Sequence, residues 1–60
     1  MSVSYVLRNK NTLVYKTLKG DTEDLQNAYI YRDLKTARNR VNKLSGEWDI
    51  LKVKIVLVLV

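Results

Sequence analysis

Asp49-Ile50-Leu51-Lys52-Val53-Lys54-Ile55-Val56-Leu57-Val58-Leu59-Val60 decides the fold of this chain. The stretch starts as an alternating strand and ends as an unbroken apolar run. A strand that is apolar on both faces needs cover on both faces. Val53, Ile55, Leu57 and Leu59 form one face, while Lys52, Lys54, Val56, Val58 and Val60 form the other. The first set suits a helix-covered core. The second starts wet and turns apolar, so a second chain is expected over Val56, Val58 and Val60.

Immediately upstream, the chain reads as the helix that supplies the cover. Asp33 is a good N-cap, and apolar residues then fall at Leu34, Ala37, Val41 and Leu44. They span about 80° of the helical wheel, a narrow stripe suited to lying on a sheet. Ser45-Gly46 ends the helix, with Gly46 expected at C′. Trp48 then leads into the last strand.

The first half reads as a hairpin. Val3, Tyr5 and Leu7 oppose Ser2, Ser4, Val6 and Arg8; Leu13 and Tyr15 oppose Val14 and Lys16. The link Asn9-Lys10-Asn11 is polar, and its asparagines tolerate positive φ. This predicts strands over 2–8 and 12–16, with Tyr5 and Tyr15 placed to pair across them. After Leu18-Lys19-Gly20-Asp21, residues 22–27 read as a loop or one helical turn capped by Asp21 or Thr22. Residues 28–32 are β-prone and read as a short strand or extended segment. If Ile30 points inward there, Tyr29 and Tyr31 are left half-exposed on the same face.

The fold class that follows is α+β: an antiparallel sheet of three to four strands with a single helix on one face, in the order β-β-(β)-α-β. Residues 1–60 are expected to form one domain. A domain of this size buries only about 60% of the surface its unfolded chain exposes, so dimerisation is a natural source of further core.

Composition removes several chemistries. The 60 residues include no cysteine and no histidine. Disulfides, thiolate nucleophiles, His/Cys zinc sites and Ser-His triads are therefore excluded. The formal charge of +5, from 11 Lys and Arg against 6 Asp and Glu, favours anionic partners but is ordinary for a soluble domain. Met1-Ser2-Val3-Ser4-Tyr5 lacks a basic region followed by an apolar stretch. The closing apolar run is far shorter than the roughly 20 residues a membrane-spanning helix needs. The expectation is a cytoplasmic protein that does not engage a membrane.

The remaining polar clusters give no enzyme. Asp21, Glu23 and Asp24 do not match the spacing of a calcium loop and read as a solvated, capped turn. Glu47 and Asp49 flank Trp48, but acid–base chemistry needs a cleft, and pockets on the order of 300 Å³ are hard to build at this size. No catalytic residue, metal or cofactor is expected. Two binding surfaces are left. One joins Val56, Val58 and Val60 to Trp48, Tyr29 and Tyr31, aromatic types enriched at interface hot spots. The other is the basic helix surface of Lys35, Arg38, Arg40 and Lys43, with Lys52 and Lys54 beyond it, an alternative that points to nucleic acid. Counting Leu34 as zero, Arg38, Lys35, Lys43 and Arg40 lie at roughly 40°, 100°, 180° and 240°, so they suit loose phosphate contact better than convergent base reading.

Tyr5-Val6-Leu7-Arg8-Asn9-Lys10, followed by Asp24-Leu25-Gln26-Asn27-Ala28-Tyr29-Ile30-Tyr31 and the 34–44 helix, resembles small proteins encoded by tailed bacteriophages. In those chains a Y-V-L/I-x-N-K hairpin start precedes a D-L-x-x-A-x-x-Y/F segment and a helix with alanine at the core. The resemblance implies a viral accessory protein made in the bacterial host cytoplasm. It further implies action by binding a host or viral protein, and the apolar strand adds the expectation of a homodimer.

Overall fold

Residues 2–55 and 59 are described by a computed structural model, the side chains of Ser2 and Ile55 excepted. The elements are β1 (Ser2–Asn9), β2 (Tyr15–Lys16), β3 (Asp21–Thr22), a 3₁₀ turn (Leu25–Asn27), α1 (Leu34–Lys43) and β4 (Trp48–Ile55). The strands form one antiparallel sheet in the order β3-β2-β1-β4, and α1 packs against β1 and β4. This is the expected α+β arrangement.

Register decides which side of β4 meets the helix. β1 and β4 pair Tyr5 with Lys52, Val6 with Leu51 and Leu7 with Ile50. Directly paired residues share a face of the sheet. Odd positions of β1 therefore share a face with even positions of β4. Leu7, fully buried, forms the core with Tyr31 and Ala37. Tyr5, Val41, Leu44, Trp48 and Ile50 pack around it. The helical stripe thus sits as its spacing predicts, but the strand face is inverted. Val53 belongs to the side away from the helix, and Trp48 and Ile50 take the place expected for Val53 and Ile55. The physical reason is the tie to Leu7: a shift of one residue would exchange the two faces of the strand. Leu59 is exposed. Leu57 and the Ile55 side chain lie outside the described residues, as do Val56, Val58 and Val60.

The hairpin is shorter than its alternation suggests. The Asn9 carboxamide oxygen accepts from the amides of Asn11 (2.9 Å) and Thr12 (3.0 Å), and the Leu13 amide donates to the Asn9 carbonyl at 3.0 Å. Residues 10–12 are consumed in this turn, so β2 begins only at Tyr15. The left-handed residue is Leu13 (φ 61°) and not an asparagine. Tyr15 pairs with Arg8, and Tyr5 bridges Tyr31 instead of Tyr15. The Tyr5 amide donates to the Tyr31 carbonyl and the Tyr31 amide returns the bond, both at 2.8 Å. The β-prone segment at 28–32 therefore contributes one bridge beside β1, in line with the short β2.

Asp21 and Thr22 pair with β2 as strand β3 instead of capping the turn, and Asp24 supplies the cap through its bond from the Gln26 amide (2.9 Å). Asp33 caps α1 as expected, accepting from the Thr36 amide at 2.8 Å and the Thr36 hydroxyl at 3.0 Å. Leu44 is the C-cap, so Gly46 (φ 88°) falls one position later than C′, inside the turn to β4. There its positive φ favours glycine.

Candidate functional site

The sheet face opposite α1 carries a shallow apolar dish of about 150 Å³, lined by Val6, Leu25, Ile30, Val53 and Lys54. Register brings Val6 and Val53 to this face, with Ser4, Leu51 and Arg8 beside them. The loop after β3 supplies the rim. Its Asp24-capped turn is closed by the bond from the Ala28 amide to the Leu25 carbonyl (3.1 Å). The Tyr29 amide then donates to the Lys16 carbonyl at 2.9 Å, and Tyr31 is held by its bridge to Tyr5. With Tyr31 fixed on the helix side, alternation turns Ile30 to the dish. Val6 is fully buried beneath this rim, yet Leu25 (46% exposed) and Ile30 (42% exposed) remain open to solvent. Leu51 and Val53 are half-buried. Arg8 leaves its Nε buried without a hydrogen-bond partner among the described residues.

The expected interface residues are divided by this geometry. Tyr31 is only 7% exposed and belongs to the core, because Ile30 points away from it. Tyr29 stays partly exposed and packs edge-on against Tyr31, with ring centroids 4.8 Å apart. Burial pushes the Tyr31 phenol above its ordinary pKa, and the nearby Arg40 guanidinium pulls against that rise. Trp48 packs against the core, donates its indole N–H to the Ser45 carbonyl at 2.9 Å, and lies 5.8 Å from Lys16 Nζ. Both Tyr31 and Trp48 are accordingly internal pins of the helix face.

The basic residues of α1 are also not one patch. Lys35, Arg38 and Lys43 are exposed, while Arg40 is half-buried and interacts with Tyr31. Arg40 and Lys43 occupy the last helical turn, where positive charge suits the helix dipole. Four of the six carboxylates have structural posts. Asp21 pairs with Lys16 at 3.3 Å, Asp49 with Lys10 at 3.7 Å, and Asp24 and Asp33 are caps. Among the described residues no group of three acidic side chains gathers to hold a metal. No described helix is long and apolar enough to cross a membrane.

The dish residues Val6, Leu25, Ile30 and Val53 are absent from the surfaces read in the sequence. Both faces of the last strand look apolar there, and only the pairing of Leu7 with Ile50 says which one is covered. The one available signal is Leu25 itself, an apolar residue inside an otherwise polar loop. No protein-family model, curated protein or solved structure matches the chain.

Proposed function

We propose that this chain is a small non-enzymatic accessory protein that binds and modulates another protein, of host or viral origin, and that does so as a homodimer. The observation that carries the reading is the apolar dish on the helix-free face, where Val6, Leu25, Ile30 and Val53 gather on one side of the sheet without a covering element among the described residues. Its argument for a second copy is the size of the core. Val6, Leu7, Ala28, Tyr31 and Ala37 are the buried hydrophobic residues of the described chain, a small set for a sequence that is 47% hydrophobic. Closing two such dishes on each other adds core area that so short a chain lacks.

Sedimentation equilibrium tests it. The wild-type chain is expected to dimerise at micromolar concentration, and Val53→Lys to sediment as a folded monomer whose melting temperature no longer rises with concentration as that of the wild type does. A wild-type monomer at that concentration would end the proposal. A second reading, nucleic-acid binding, is supported by the exposure of Lys35, Arg38 and Lys43 on α1. It predicts a shift of DNA or RNA at low salt that weakens steeply as salt rises. The bacteriophage setting rests on the resemblance alone and is tested by where the gene is found.

A further inference from the structure

Among the described residues β4 is an edge strand, and its outer side is defined by the bonds its neighbour makes. In β1 the amides of Tyr5 and Asn9 donate toward the β2 side, to Tyr31 and Val14 at 2.8 Å each. Backbone groups of an antiparallel strand alternate in direction. The even residues of β1 therefore aim at β4, as the bond from the Lys10 amide to the Glu47 carbonyl (2.9 Å) continues to show just past the strand. Ser4, Val6 and Arg8 accordingly exchange bonds with Val53, Leu51 and Asp49, their register partners. The alternate residues Ile50, Lys52 and Lys54 turn their N–H and C=O groups outward, along the sheet's open edge. Lys52 and Lys54 are exposed, and Ile50 is half-buried between them and Trp48.

We propose that this edge binds an extended acidic segment of a partner protein, which adds to the sheet as a new outer strand beside β4. Main-chain bonds to Ile50, Lys52 and Lys54 supply the affinity, and carboxylates opposite the two lysines supply the selectivity. Charge decides the occupant. A second copy laid along the same edge gathers four ammonium groups on one short seam, and edge lysines are a common guard against such self-pairing. A chain of net charge +5 also attracts an acidic segment from a distance. This rests on the reading of the chain as a protein-binding module and names the chemistry of its partner. Lys54 borders both surfaces, but self-association reads the Leu25, Ile30 and Val53 side chains and peptide binding reads the outward backbone of β4, so either can fail alone.

The test uses two short capped peptides, one alternating threonine and glutamate, the other threonine and lysine. Fluorescence anisotropy at low salt is expected to show binding of the glutamate peptide only. Amide exchange of the chain is expected to slow at Ile50, Lys52 and Lys54, with little change at Leu51 and Val53, whose amides β1 already protects. The double variant Lys52→Glu, Lys54→Glu is expected to weaken that binding about tenfold. The proposal is overturned if both peptides bind alike, if protection appears on α1 instead of the edge, or if the edge amides become protected by raising the concentration of the chain alone. The two peptides decide the matter on the wild-type chain, so the test stands even if the variant does not fold.

Discussion

The two faces of the sheet are built to different standards. On the helix side, Leu7 and Ala37 are fully buried, and Tyr31, Val41, Leu44, Trp48 and Ile50 close around them. On the other side, Val6 is equally buried, but the loop residues above it, Leu25 and Ile30, remain nearly half-exposed. A continuous helix with a capped start can cover a strand pair along its length. A single 3₁₀ turn cannot, because its three residues offer no stripe. The difference separates a face closed by a helix from one that leaves apolar side chains exposed among the described residues.

The largest expected effect lies on the helix face. Leu7→Ala removes the centre of the core and is expected to cost about 3 kcal/mol, enough to unfold most of so small a domain. Chemical denaturation followed by circular dichroism measures it. A loss below about 1 kcal/mol would mean that the two faces do not differ as described.

The helix start adds a pH dependence. Bonds from the Thr36 amide and hydroxyl hold the Asp33 carboxyl below its ordinary pKa. A carboxyl lowered on folding stabilises the protein above its unfolded pKa, and that contribution is lost as pH falls through the folded value. The melting temperature is therefore expected to drop in acid. Asp33→Asn, which keeps a capping oxygen, is expected to flatten that drop; an acid profile identical to wild type would exclude the cap as its source.

Leu13 is a smaller matter. It is exposed and held at φ 61°, where a leucine is strained and a glycine is not. Leu13→Gly is expected to raise stability by about 0.5–1 kcal/mol in the same denaturation experiment. A loss would show that the Leu13 side chain contributes packing the exposed position does not suggest.

At the other end of the scale, Ile30→Ser on the dish is expected to change monomer stability by no more than about 0.5 kcal/mol. Measured at high dilution, a loss comparable to that of Leu7→Ala would place Ile30 in the core and erase the contrast between the faces.

Much of this organisation was legible in the residues. The Leu34, Ala37, Val41 and Leu44 stripe, the Asp33 cap and the long last strand give the α+β class directly, since each follows from local periodicity or a local bond. What local periodicity does not contain is the register between distant strands. Val53 and Ile50 are both apolar, both β-prone and on opposite faces, so the pattern fits either orientation. The pairing of Tyr5 with Tyr31 is likewise set by how many residues the Asn9 turn consumes, which shortens β2 and opens a place beside β1. The same local ambiguity placed Tyr31 at a surface when it belongs to the core, and left Leu25 and Ile30 unnoticed at the dish.

The most direct measurement is therefore of register. Leu7 turns its backbone toward β2, so its pairing with Ile50 is of the non-hydrogen-bonded kind, in which the two Hα atoms approach closely. A nuclear Overhauser spectrum is expected to show an Hα–Hα cross-peak between Leu7 and Ile50, with another between Tyr5 and Lys52. A cross-peak from Leu7 to Asp49 or Leu51 instead would shift the strand by one residue, return Val53 to the helix side, and contradict the account of both faces.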